Sequence, residues 1–171
     1  KRQEQNRVQV SALHLDPSQT ATVLFETNSS NLQVQVELRA PDGTILGNAA
    51  AHAPSQQLLL QTLPIAEVGT YEVEVATMAG TGTYELELTL NAAVESEDIT
   101  LSDNGSIVDA QNLTSSFITL DTNAQRAAVR GTITGSDADI YRLPLASGDS
   151  TSVILYGSGL NISLHDHMGT V

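Results

Sequence analysis

The sequence predicts an all-β fold: an antiparallel, jelly-roll-like β-sandwich module followed by the first half of a second such module. Three observations carry this. Short segments along most of the chain alternate apolar and polar residues, the period of a strand with one buried face. Gly, Pro, Asp and Asn cluster between those segments, where turns need a preset or positive φ. The last third of the chain also repeats a pattern from its start. With Leu143 set against Leu13, an offset of 130 residues, Ile140 falls on Val10, Leu145 on Leu15, Val153 on Val23 and Leu155 on Phe25. After a short gap, Leu160-Asn-Ile-Ser-Leu164 lies over Val34-Gln-Val-Glu-Leu38, and Met168-Gly-Thr-Val171 over Asp42-Gly-Thr-Ile45. A self-match at fixed offset is the mark of repeated modules.

The first module, residues 1–93, reads as strands from end to end. Val8-Gln-Val-Ser-Ala-Leu-His-Leu15 alternates and stops at Asp16-Pro-Ser, where Pro presets φ and Asp bonds the backbone ahead of it. Ala21-Thr-Val-Leu-Phe25 comes next, then the strictly alternating Leu32-Gln-Val-Gln-Val-Glu-Leu38, which puts Leu32, Val34, Val36 and Leu38 on one face. Pro41-Asp-Gly43 is a turn. After Thr44-Ile-Leu46, residues 48–55 read as an Ala-rich loop, too short and uncapped for a stable helix. Gln57-Leu-Leu-Leu-Gln-Thr-Leu63 closes at Pro64. Thr70-Tyr-Glu-Val-Glu-Val75 and Thr83-Tyr-Glu-Leu-Glu-Leu-Thr-Leu90 read as a hairpin around Met78-Ala-Gly-Thr-Gly82. Glu72, Glu74, Glu85 and Glu87 share one alternation phase, which is therefore the wet face.

Residues 94–115 are acidic and rich in turn formers, and read as a linker. Strands at Ser116-Phe-Ile-Thr-Leu120 and at residues 127–133 open the second module, residues 116–171. Nothing in it corresponds to residues 58–90, so it is expected to be incomplete at its C-terminal end. Half a sandwich exposes an apolar face and unpaired edges. A longer chain, or strand addition from a neighbouring molecule, would cover them.

Composition narrows the function. Seven Lys and Arg against 20 Asp and Glu give a net charge of −13 over 171 residues. Such a surface repels nucleic acid and anionic membranes, whose binding needs basic patches. With no Cys, disulfides contribute nothing to stability. No apolar run approaches the roughly 18 residues of a membrane span. The chain begins Lys1-Arg-Gln-Glu, with neither Met nor a signal peptide, as expected of a mature product or an excised piece.

The residues that carry the repeat also carry a family resemblance. Asp137-Ala-Asp-Ile-Tyr-Arg-Leu-Pro-Leu-Ala-Ser-Gly148 follows the pattern D-x-D-x-Y-x-L-x-L-x-x-G. Thr151-Ser-Val-Ile-Leu155 and then Leu164-His-Asp166, opening L-x-D-x-x-G, come next. Gly69-Thr-Tyr71 and Gly82-Thr-Tyr84 match the other half of the pattern. The chain thus resembles the bacterial pre-peptidase C-terminal domain, in tandem. The resemblance implies a non-catalytic β-sandwich, appended to secreted peptidases and repeated in large surface proteins.

Calcium takes six to eight oxygen ligands from carboxylates, carbonyls and hydroxyls. Glu95 and Glu97 project to one side of an extended segment. Asp103 and Asn104 lie beyond them in a turn-prone run, and Asp137 and Asp139 close the loop before Tyr141. In calcium-binding relatives an acidic pair and an Asn-Asp step join the D-x-D loop, and a hydroxyl residue after a strand Gly joins too. The resemblance therefore implies a metal site of Glu95, Glu97, Asp103, Asn104, Thr132, Asp137 and Asp139. Here the step is reversed, Asp103-Asn104, and lies further from the glutamates than in that pattern. In the first module Arg7 and Gln9 stand at the aligned positions, so no equivalent site is expected.

Other groups read plainly. His165 and His167 flank Asp166 as exposed turn residues, since neither Cys nor another nearby His completes a transition-metal set. No nucleophile–base pair can be assembled, so no enzyme is expected. Four Asn-x-Ser/Thr sequons begin at Asn28, Asn104, Asn112 and Asn161. The leading expectation is a structural repeat of a secreted or cell-surface protein, in a tandem array or extracellular filament, with calcium stiffening its joints. Its partners would be copies of itself or neighbouring modules. The alternative is an appendage that holds a secreted peptidase near an extracellular polymer, which calls for an exposed aromatic platform.

Overall fold

In the computed structural model, which describes residues 8–100, 103–135, 137–166 and 170, the alternating segments of the first ninety residues become seven strands. They are β1 (Val8–Leu15), β2 (Thr20–Glu26), β3 (Gln33–Arg39), β4 (Ile45–Ala50), β5 (Leu58–Pro64), β6 (Gly69–Ala79) and β7 (Glu85–Leu90). A four-stranded sheet runs β1-β6-β3-β4 and a three-stranded sheet runs β5-β2-β7, all pairs antiparallel. Val23 and Phe25 from one sheet meet Val34, Val36, Leu38, Tyr71, Val73 and Val75 from the other in one core. Each such side chain contributes about 1.5–3 kcal/mol when fully buried. The Phe25 ring lies tilted against Tyr84, centroids 5.2 Å apart. The buried Tyr71 hydroxyl donates to the Glu67 carbonyl at 2.8 Å, so its polar end is satisfied.

Register explains the charges on the outer face. Val36 opposes Val75 and Leu38 opposes Val73, pointing inward, so Glu37 opposes Glu74 on the outside. Like charges directly across a ladder repel. Arg39 answers this by bonding both, at 3.1 Å to Glu74 and with a close contact to Glu37.

Two expectations for this unit fail. The alanine-rich residues 48–55 are not all loop: β4 extends to Ala50, because backbone pairing with β3 overrides the weak strand preference of alanine. The segments around Glu72 and Glu85 do not form a hairpin: β6 belongs to the four-stranded sheet and β7 to the other. The chain crosses between sheets at Gly80, whose φ is +73° and where a Cβ would stand 1.8 Å from the Asn31 carbonyl oxygen. Only glycine fits that corner. Both sheets have a wet outer face, so a shared Glu phase is no sign of shared pairing.

Beyond residue 92 the elements are short. β8 (Ala93–Val94), the single helical turn α1 (Glu97–Thr100), β9 (Gln111–Asn112) and a 3-10 turn (Thr114–Ser116) precede β10 (Ile118–Asp121), β11 (Ala124–Arg126), β12 (Val129–Arg130) and β13 (Tyr141–Arg142). β8 pairs in parallel with β12 and β9 with β13, while β10 and β11 are antiparallel. The stretch that reads as a linker, residues 94–115, is thus stitched to the strands beyond it. The strand expected over residues 127–133 shrinks to Val129–Arg130, and the one over 116–120 begins at Ile118, after the 3-10 turn. No ladder forms over the strands predicted at residues 151–155 and 160–164 among the described residues. Alternation assigns faces to a segment, but a strand persists only where a partner accepts its hydrogen bonds. His167 and the expected Gly turn at residues 168–171 lie, Thr170 apart, outside the described residues, as does Arg7.

Candidate metal centre

The site lies just beyond the seven-stranded unit, among the short elements that follow residue 92. β8 brings Glu95, whose N–H donates to the Arg130 carbonyl at 2.7 Å, beside β12. Its carboxylate receives the Glu97 N–H at the start of α1, in a close contact. From the other side, the Ile140 N–H donates to the Asn104 carbonyl at 3.0 Å, and the Gln111 N–H to the Ile140 carbonyl at 2.9 Å. This ladder fixes the D-x-D loop against residues 103–104. Asp103 accepts the Gly105 N–H at 2.7 Å, closing a tight local turn, and Asp137 accepts the N–H of the adjacent Ala138 at 2.8 Å.

One carboxylate oxygen from each of Glu97, Asp137 and Asp139 lies within 4.8 Å of the others. Opposed ligands on one calcium ion, each at 2.3–2.6 Å, stand about 5 Å apart. Glu95 is 6% exposed, and it and Asp103 lie close enough to act on Glu97 by charge. Desolvation, then the like charges of Asp137, Asp103 and Glu95, raise the Glu97 pKa above its ordinary value, although the Asn104 N–H opposes this. Burial first, and then Asp139 and Glu95, push the Tyr141 hydroxyl far above the usual phenol range. It stays protonated and donates to Asp139 at 3.3 Å.

Asn104 is 1% exposed, and neither atom of its carboxamide has a hydrogen-bond partner among the described residues. An unpaired buried amide costs about 1–3 kcal/mol. A hard cation coordinated by its carbonyl oxygen would relieve part of that cost. The donor set is all oxygen and strongly anionic, which fits calcium and not a soft transition metal.

Of the sequence-derived residues, Glu97, Asp137 and Asp139 cluster within 4.8 Å, Glu95 and Asp103 lie near enough to act on Glu97 by charge, and Asn104 reaches Glu97 through its backbone N–H. Thr132 is exposed, and no hydrogen bond ties it to the group among the described residues. The neighbouring Gly131 matters instead: a Cβ there would stand 2.8 Å from Glu95 Cβ and 3.0 Å from the Tyr141 hydroxyl. Sequence reasoning gives Tyr141 no role at this site, and its spacing from Asp139 was the available signal. In the first unit Gln9 accepts a hydrogen bond from the Tyr84 hydroxyl at 2.5 Å. His165 shares a 2.7 Å hydrogen bond with Ser163 at the surface.

No family model matches this chain, and no curated protein does. Among solved structures it is similar to that of infectious bursal disease virus Gx strain, at 14% identity and a TM-score of 0.31, over 52% of this chain and 28% of that one. The Gt strain structure gives 16% and 0.29 over 52% and 28%, and the D431N mutant VP2 protein of the same virus, in T=1 particles, gives 15% and 0.28 over 50% and 26%. The alignments span little more than a quarter of those chains. Among the described residues no helix is long and apolar enough to cross a membrane.

Proposed function

We propose that this chain is a non-catalytic structural β-sandwich repeat of a secreted or cell-surface protein, with calcium stiffening the joint between its first and second units. The observation that carries the reading is the approach of Glu97, Asp137 and Asp139 carboxylate oxygens to within 4.8 Å of one another at that joint, with Glu95 and Asp103 near enough to act on Glu97 by charge. The ligands come from three separate segments, residues 95–97, 103–104 and 137–139, so a cation held among them fixes segments that short two-residue ladders hold only weakly. The resemblance to pre-peptidase C-terminal domains supports the same site. The uncovered alternating segments at residues 151–164 serve assembly: strands from a copy of this chain or a neighbouring module complete them, giving a longer array or filament.

The appendage reading retains one favourable observation. Tyr156 is 88% exposed, whereas Tyr71 is buried in the core and Tyr84 and Tyr141 are engaged by Gln9 and Asp139. A lone tyrosine is a thin platform for a polymer. Calorimetric titration with calcium decides the principal reading. The wild type is expected to bind, and the double variant Asp137→Ala with Asp139→Ala to lose binding. Indifference of the wild type to calcium would reject it.

A further inference from the structure

Three consecutive amides place Glu95, and each is held by a different part of the molecule. The Val94 N–H donates to the Gln61 side chain at 2.9 Å, Glu95 to the Arg130 carbonyl at 2.7 Å, and Ser96 to the Gln111 side chain at 3.1 Å. The Val94 carbonyl accepts from both amide side chains, Gln61 at 2.6 Å and Gln111 at 2.9 Å. Gln61 therefore meets Val94 as a strand would, donor to acceptor and acceptor to donor, although it belongs to β5 of the first unit.

A bulge delivers it there. Ala21 opposes Leu63 but Val23 opposes Leu60, so β5 carries one residue more than β2 between those points. Within the extra span Thr62, 4% exposed, takes a φ of +45°. A β-branched residue in that region is strained, and such strain persists only where surroundings impose it. Here they do. The Thr62 N–H donates to Thr22 Oγ1 at 3.0 Å, Thr22 donates onward to the Ala92 carbonyl at 2.8 Å, and the Thr62 hydroxyl meets Ser115 at 2.7 Å. Two successive residues of one bulge thus grip both flanks of the acidic segment, at Val94 and at Ser115. Bulges recur where a strand must re-aim a side chain.

We propose that Gln61 is a positioning residue for Glu95, and that the β5 bulge links the first unit to the cation site. The cation-affinity part rests on the function proposed above. The geometric part does not. Groups that orient a metal ligand through hydrogen bonds commonly govern affinity although they never touch the ion.

Calcium is the probe. Gln61→Met keeps the length of the side chain and removes both bonds to Val94. Leu60→Ala weakens core packing in the same strand and leaves the amide in place. Gln61→Met is expected to weaken calcium affinity about ten-fold, and to speed hydrogen exchange at the Glu95 and Ser96 amides in chelator as well as at Val94. Leu60→Ala is expected to lower Tm with affinity unchanged. Equal affinity and exchange in Gln61→Met and wild type would overturn the proposal, as would an equal loss of affinity in Leu60→Ala. Should the wild type take no calcium, the functional reading fails by itself. Exchange at Glu95 and Ser96 then decides the positioning role, faster in Gln61→Met if the role holds and unaltered if it does not.

Discussion

Two stretches with matching sequence patterns meet opposite fates. Val23, Phe25, Val34, Val36 and Leu38 are at most 1% exposed, whereas their counterparts Val153, Leu155, Leu160, Ile162 and Leu164 are 40–56% exposed. The alternation is the same and the turns between are of the same kind. The first set is covered by β5, β6 and β7, which pair with β2 and β3 across full ladders. The second set has no such partners among the described residues. Periodicity thus states which face a segment would bury, while the hydrogen bonds and opposing side chains that bury it come from elsewhere. The joint between the two regions is intermediate, with two-residue ladders that carboxylates crowd and side-chain amides brace.

This contrast can be broken by paired substitutions. Phe25→Ala is expected to cost about 3–5 kcal/mol in denaturant unfolding, a large aromatic lost from a closed core. The aligned Leu155→Ala is expected to stay within about 0.5 kcal/mol of wild type. If both cost several kcal/mol, the distal segment is packed in solution and the contrast fails. Calcium should sharpen the distinction by acting on the joint. At a hundred-fold excess over Kd it should add about 2.7 kcal/mol of stability, and the Asp137→Ala, Asp139→Ala protein should show no such gain.

Acidity supplies a subtler test. The folded chain raises the Glu97 pKa above its ordinary 4.5, so in chelator it binds that proton more tightly than the unfolded chain does. The resulting stability is complete below 4.5 and is lost as pH rises through the higher folded value. Tm in chelator should therefore fall across that window. Saturating calcium, which requires the ionised carboxylate, should offset the fall, and calcium affinity should weaken on acidification. A small loss is also expected at Arg130, whose guanidinium makes a two-point contact with Glu87 of the first unit, 2.7 Å on one arm. Both partners are substantially exposed, so Arg130→Ala should cost only about 0.2–1 kcal/mol, and less in high salt.

Much of the first unit was legible in the sequence because alternation and turn residues are local. β1, β2, β3 and β5 lie within two residues of their expected limits. Features that were not local were misread. β4 depends on β3 for its backbone bonds, and β6 and β7 part into different sheets at the corner where Gly80 packs against Asn31, residues distant in the chain. At the site, the D-x-D loop and the Glu95, Glu97 pair were visible as acidic residues in turn-prone runs. The burial of Asn104 was not, since an Asp-Asn-Gly run ordinarily marks an exposed turn. Gln61 gave no signal at all, because a glutamine that imitates a strand looks in sequence like any polar residue of an edge. Thr132 was named by analogy with a pattern, and its neighbour Gly131 proves to be the residue the packing depends on.

Residue-resolved hydrogen exchange, with and without calcium, tests the central claim most directly. A calcium-held joint predicts slowed exchange at the Glu95, Gln111 and Ile140 amides on adding the ion, with residues 151–164 exchanging as fast as before. Identical exchange at those three amides in calcium and in chelator would contradict it.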